Sequence, residues 1–369
     1  MRHLTESDIE IDQPLRWDIY DEAGGLLARK DYVVRSEAQR DKMIARGMVA
    51  IEHVEFIIPE RPSVLRMLKL ACTQLDAALQ RIVAGLPCER GALEAVADLV
   101  RGAHALNQDV ALACILHNQR GCSYAIRHSV DTALLALILA QALKKSDDEI
   151  LTIMLAALTM NVGMFEHQER LQHCDNALTA SDTALIQGHA ECGVAMLRAA
   201  GIDDQAWLTC VAQHHEREDG SGYPCGTAGT GICEGARIIS LADRYGARVC
   251  TRSYRKPMLP NAALRELLLQ GRHPLEMPLI TLLVRELGVY PIGTYVRLLN
   301  GEVGVVTRRG STTTMPHVDA LVGPRGAPLE VVVRRDTRVD LHAIREVLTE
   351  DMAAIGFRLD QLWGRVASE

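Results

Sequence analysis

Aromatic side chains are scarce in this chain: Phe, Trp and Tyr make up 4% of its 369 residues. Whatever core it has is aliphatic, built from Leu, Ala, Val and Ile. A basic surplus is also missing, since the formal net charge is −7. Non-specific nucleic-acid binding needs a positive footprint, so that role is excluded, and an anionic ligand would need a local basic patch. No two of the ten cysteines are spaced Cys-x-x-Cys, and many fall in apolar helical patterns. A thiol there behaves as a small hydrophobe, so the expectation is a reducing cytoplasm rather than a disulfide framework. No apolar run is long enough for a membrane span; the longest, near residues 133–143, is too short. The polar, acidic start Met-Arg-His-Leu-Thr-Glu-Ser-Asp is unlike a signal peptide. There is no internal repeat and no low-complexity tract.

With 48% hydrophobic and 24% charged residues, the composition is that of a globular protein with room for two or three domains. Residues 1–58 read as a small β-rich module. Residues 15–20 alternate like a strand, 21–25 turn and 26–29 return; Ser36 caps a helix over 37–46 ended by Gly47, and 49–51 close the module. No residue set there marks a ligand, so it reads as a packing or dimerisation module in preference to a sensory one. Pro59 and Pro62 open a linker and connector helix over 59–92. Leu65, Leu68, Leu70, Leu75, Leu79 and Ile82 recur there at helical spacing, a surface that leaves a homodimer open. Helical patterns fill residues 93–288. In 289–369, Asn300-Gly301 suits a type I′ hairpin turn, 329–334 read as a strand and 341–363 as a final helix.

The most specific stretch is His214-His215-Glu216-Arg217-Glu218-Asp219-Gly220-Ser221-Gly222-Tyr223-Pro224. Neutral imidazoles ligate transition metals well. Asp219, Gly220 and Gly222 allow a tight turn, and Pro224 blocks immediate helix continuation. This stretch resembles the signature of the HD-GYP family, a branch of the HD-domain metal phosphohydrolases whose members typically hydrolyse the bacterial second messenger cyclic di-GMP. The resemblance covers roughly residues 95–300. It implies a mainly α fold: an HD-domain helical bundle with a small β-rich N-terminal module and a β-hairpin appendage near the C-terminus. It also implies metal-ligand roles for His128, in Tyr124-x-x-Arg127-His128-Ser129-Val130, for His189, His214 and His215, and for Asp243, in an apolar helical frame. The family's basic segment near the cyclic dinucleotide is matched by 252–257, which makes Arg252 and Arg255 candidates for ligand contact. Asp219, Gly220, Gly222, Tyr223 and Pro224 would form a turn that contacts a signalling partner.

One motif departs from the family. Where its members read His-Asp-Ile-Gly-Lys, this chain reads Met160-Asn161-Val162-Gly163-Met164. Met160 offers a weak thioether in place of an imidazole. Asn161 offers one carbonyl oxygen in place of a carboxylate that bridges two cations, and Met164 removes a cation that would hold a phosphate. By the family's ligand sets, one metal site keeps only His128 and Asp243. The other keeps His189, His214 and His215, enough for one Fe, Mn or Zn with an open position. The joint loss favours a binding module of cyclic di-GMP signalling, one that holds a single metal or none. The surviving imidazoles favour a reduced, single-metal phosphodiesterase. A scaffold with buried, hydrogen-bonded histidines is the third reading.

Overall fold

The structure, a computed structural model, describes residues 1–5, 8–49, 62–117, 122–172, 179–250, 257–271 and 273–369. The chain divides into two compact units, Met1–Arg61 and Pro62–Glu369.

In the first unit, β1 (Arg2–His3), β2 (Ile19–Tyr20), β3 (Leu26–Ala28) and β4 (Met48–Val49) form an antiparallel sheet in the order β1-β4-β2-β3. Helix α1 (Glu37–Arg46) starts where Ser36 accepts a hydrogen bond from the Gln39 amide and ends at Gly47. A side chain at Gly47 would collide with Leu4 and the Met43 carbonyl, so the sequence can place only glycine at this corner. Leu4, Ile9, Leu15, Ile19, Val34 and Val49 fill a small aliphatic core. Residues 50–51, the rest of the expected closing strand, lie outside the described residues.

The second unit is a helical bundle carrying a sheet. Its helices are α2 (Val64–Val83), α3 (Arg90–Leu106), α4 (Gln108–His117), α5 (Tyr124–Ala142), α6 (Asp147–Thr159), α7 (Phe165–Gln172), α8 (Ala180–Ala199), α9 (Gln205–Gln213), α10 (Glu234–Val249), α11 (Pro260–Gln270) and α12 (Glu276–Leu287). The apolar face of α2, expected as a connector or self-association surface, packs on α3 and α5; Leu65, Leu68, Leu75, Leu79 and Ile82 are buried there. Helix α5 is the central rod: every residue from Tyr124 to Ala140 is buried. A helix covered on all sides needs no polar face, so its apolar run shows no period. Its start is set by Ser123, which accepts from the Ile126 amide. His128 therefore sits inside the helix.

Helix α6 opens with a reciprocal capping box between Ser146 and Glu149. Its last residue, Thr159, accepts the indole N–H of the fully buried Trp207 at 2.8 Å and donates to the Leu155 carbonyl at 2.8 Å, tying α9 to α6. The helical stretch Asp147–Gln168 is the one among the described residues long and apolar enough to cross a membrane, and 61% of its apolar window is buried inside the protein.

The C-terminal segment is more than a hairpin. Strands β5 (Tyr295–Leu298), β6 (Val303–Arg308), β7 (His317–Val322), β8 (Pro328–Asp336) and β9 (Ile344–Leu348) form one antiparallel sheet in the order β8-β7-β6-β5-β9. In register, Val296 faces Gly304 and Val347, and Ala320 faces Val333. The expected type I′ turn needs positive φ at two successive residues, but only Gly301 has it, at 89°. The connection is a longer loop closed by the Gly301 amide on the Leu298 carbonyl. The expected helix over 341–363 is replaced by β9 and two short helices, α13 (Glu350–Ala353) and α14 (Leu359–Trp363). The free edge of β5 captures residues 344–348, and Ala354 at φ 52° ends α13.

Candidate metal centre

Three elements converge on one point. Helix α8 begins with a Thr179–Asp182 capping box, reinforced by Arg170 on Asp182 at 2.8 Å. His189 therefore lies mid-helix. His214 caps the C-terminus of α9, and His215 follows at the exit. The ligand nitrogens of His189, His214 and His215 all lie within 4.8 Å of one another. The Nδ1–H of His189 donates to the Ile186 carbonyl at 2.6 Å, and that of His214 to the Val211 carbonyl at 2.7 Å. Each ring thus turns a bare Nε2 inward, and the two Nε2 atoms stand 3.2 Å apart.

That arrangement fits a cation. Two lone pairs facing each other repel unless a proton or a metal ion lies between them, and the environment disfavours the proton. Burial holds His214 well below its ordinary pKa, with the neighbouring His215 and His189 adding to the effect. Burial lowers His189 against the pull of the Ile186 carbonyl and Asp243, and brings His215 down to about 4. Neutral imidazoles fixed by carbonyls through their far nitrogens are the usual preparation for metal ligation.

The turn after His215 is held as the sequence requires. Glu216 is buried, and one of its carboxylate oxygens accepts from the Cys225 amide at 2.8 Å, drawing the far end of the loop back. Gly220 has φ 76°. A Cβ on Gly222 would lie 2.6 Å from the His215 carbonyl oxygen, so the loop folds directly onto the ligand residue. The Tyr223 amide donates to that carbonyl at 3.2 Å, and the Tyr223 ring lies over His215 with centroids 4.8 Å apart. The Tyr223–Pro224 peptide is cis. Asp219 and Ser221 form the exposed tip, where Asp219 accepts from the Ser221 hydroxyl at 2.6 Å.

His128 and Asp243 meet separately. His128 Nε2 and Asp243 Oδ1 are 2.6 Å apart, and Tyr124 stacks on the imidazole at 5.3 Å. Burial pushes Asp243 up, but the His128 hydrogen bond and the surrounding imidazoles outweigh it and hold the carboxyl below the usual range. Met160 is wholly buried in the aliphatic core. Asn161 is buried at the head of a short 3₁₀ turn, Val162–Met164, and its side-chain oxygen has no partner among the described residues. The next turn residue, Gly163, lies so close to α8 that a Cβ would overlap the His189 carbonyl. Met164 is half-buried. Arg252 and Arg255 lie outside the described residues.

One feature absent from the sequence reading is a pocket of about 620 Å³ beside the turn, lined among others by Arg217, Arg237, Arg244 and Arg248. The last three stand at i, i+7 and i+11 of α10, a spacing that puts them on one face and is legible in the sequence. Each already faces a carboxylate: Arg237 meets Glu218 at 3.1 Å, Arg244 meets Glu276, and Arg248 meets Glu266 at 3.2 Å. The pocket is therefore close to charge balance.

Residues 110–275 match the family model of the HD domain. A cyclic di-GMP phosphodiesterase of Pseudomonas aeruginosa, PA4108, is 29% identical over 271 residues, covering 72% of this chain and 64% of that protein. The 3'3'-cGAMP-specific phosphodiesterase 2 of Vibrio cholerae is 36% identical over 126 residues, 34% of this chain and 24% of its own. Among solved structures, Bd1817, an HD-GYP-type protein of Bdellovibrio bacteriovorus, aligns at 17% identity over 76% of this chain and 97% of its own, with a TM-score of 0.49. The match spans less than two thirds of the length of these curated relatives. Over residues 110–275 the chain carries an HD domain.

Proposed function

We propose that this chain is a cyclic-dinucleotide signalling protein that holds one metal ion on His189, His214 and His215 and binds its nucleotide without two-metal hydrolysis. The observation that carries this reading is the pairing of His128 with Asp243 at 2.6 Å beside an intact triad of imidazoles. His128 and Asp243 are the donors left at the second position, and the neighbouring donor positions hold Met160 and Asn161. Bound to the triad, a single Fe, Mn or Zn ion would supply Lewis-acid attraction for a phosphate oxygen or a water.

The chain's own residues prepare that position. Ile186 and Val211 fix two rings by their carbonyls, and Tyr223 covers His215. Arg252 and Arg255 are the proposed phosphate or guanine contacts, on the sequence argument. The turn of Asp219, Gly220, Gly222, Tyr223 and Pro224 is the proposed contact for a signalling partner. The named substrates of the relatives make cyclic di-GMP the first ligand to try and 3'3'-cGAMP the second.

A second reading, a phosphodiesterase with one metal, is favoured by the inward Nε2 atoms, which leave a coordination position open. One experiment separates the two. The protein, purified anaerobically and loaded with Fe(II) or Mn(II), is incubated with each cyclic dinucleotide and the mixture is resolved by chromatography, with equilibrium dialysis alongside. Retention of intact nucleotide, weakened in Arg252→Ala, supports the binding protein. Linear product that disappears in His214→Ala replaces it with the enzyme.

A further inference from the structure

Cys210 and Cys233 lie with their sulfurs 3.6 Å apart, although 23 positions separate them in the sequence. Cys210 is buried on α9, one turn before His214. Cys233 is partly exposed and is the N-cap residue of α10, the helix that carries Asp243. The two segments are already stitched at this point: Gln213 accepts from the Cys233 amide at 2.8 Å and donates to the Gly231 carbonyl at 3.2 Å. Room for the buried thiol is made by Gly235, whose Cβ would fall 2.6 Å from the Cys210 sulfur.

We propose that Cys210 and Cys233 are a peroxide-oxidisable dithiol that closes to a disulfide beside the metal centre. Cys233 is the attacking thiol, because it alone of the two reaches solvent and it sits where the free N–H groups of α10 favour a thiolate. The hydrogen bond from Cys210 and the charge of Arg237 act in the same direction, and together they outweigh burial. The Cys233 thiolate attacks one oxygen of hydrogen peroxide; the O–O bond breaks and the other oxygen leaves as hydroxide, taking up a proton to give water. Cys233 is then a sulfenic acid. Cys210 gives up its proton as its sulfur attacks that of Cys233; the S–O bond breaks and the hydroxide leaves with the proton as a second water. Two thiols and one peroxide become one disulfide and two waters. An S–S bond of about 2.05 Å draws the sulfurs together by roughly 1.5 Å, and Gln213, adjacent to His214, is bound to the segment that moves.

The test uses the full chain in a Cys225→Ser background, because Cys225 shares the tryptic peptide 218–237 with Cys233. After brief treatment with hydrogen peroxide and alkylation of remaining thiols, the digest is mapped by mass spectrometry without reductant. The expected product is peptide 199–217 joined to 218–237 with a loss of about 2 Da, reversed by dithiothreitol. Cys233→Ser removes the link, and Cys210→Ser leaves Cys233 as a sulfenic acid captured by dimedone. Recovery of both peptides as free thiols, at a peroxide dose that has already oxidised the exposed Cys192, overturns the proposal.

Discussion

The Nε2 atoms of His189 and His214 face each other across 3.2 Å, and each ring is locked in that pose by a carbonyl on its other nitrogen. A cation between them converts a repulsion into two bonds, so metal binding and stability are linked. The expected content is about one transition metal per chain by elemental analysis after anaerobic purification. At a free metal concentration 100 times Kd, the folded state gains about 2.7 kcal/mol, and chelation lowers Tm accordingly. His214→Ala abolishes both the metal content and the response of Tm to chelator.

Gly163 controls where His189 stands. An added Cβ would overlap the His189 carbonyl oxygen and fall 2.6 Å from the Gly193 amide. Backbone atoms cannot rotate away, so Gly163→Ala pushes the 3₁₀ turn off α8. The expected cost is about 1–3 kcal/mol in urea denaturation, with weakened metal affinity in the same variant. Gly188→Ala, on the same helix with open space at its Cβ, leaves metal affinity unchanged and raises stability by about 0.5–1 kcal/mol, the opposite sign.

The local signals of this fold were legible where a side chain satisfies a helix end. Ser36, Ser146 and Asp204 cap the helices that follow them. The Thr179-x-x-Asp182 box is an equally clear start signal, and it places His189 in the helix interior. The start of α5 is hidden because the helix is buried all round and shows no apolar period to count. Residues 344–348 become a strand only because β5 offers an unpaired edge, a relationship 49 positions away at Arg297 and Glu346 that local pattern does not hold. Of the candidate site, the four histidines and Asp243 were named from the motif; the structure gathers His189, His214 and His215 and pairs His128 with Asp243. The basic face of α10 was present in the spacing but reads like any solvated stripe until Glu218, Glu266 and Glu276 are seen against it.

His117 gives the metal-free protein a pH dependence. Its half-buried ring packs between Tyr295 and Phe357, and its Nε2 donates to the Gly293 carbonyl at 2.6 Å. Burial lowers its pKa, more than the Gly293 carbonyl and Glu350 raise it. Below an unfolded value of about 6.5 the unfolded chain takes up a proton that the native state refuses. The contribution is therefore complete above that pH and is lost as pH falls toward the folded pKa, at up to about 1.4 kcal/mol per pH unit. Urea midpoints at pH 7.5 and pH 5 measure it. His117→Gln, which keeps a donor for Gly293, flattens the profile by up to one proton.

Asn161 offers the sharpest test of the proposed single-metal reading. Its side-chain oxygen is buried and unpartnered among the described residues, at the head of the turn that Gly163 presses against the His189 helix. A carboxylate in its place would be an uncompensated buried charge, at a cost of several kcal/mol, unless a cation joins it. Asn161→Asp is thus expected to lower the Tm of chelator-treated protein and to recover it when Mn(II) or Fe(II) is added, a larger metal-dependent shift than the natural chain shows. With Met160→His beside it, His128 and Asp243 gain two further donors. The expected metal content then rises from about one per chain toward two, with hydrolysis of cyclic di-GMP appearing in parallel. A double variant that folds, as judged by circular dichroism, yet keeps the metal content of the natural chain would show that these two positions do not face the metal centre.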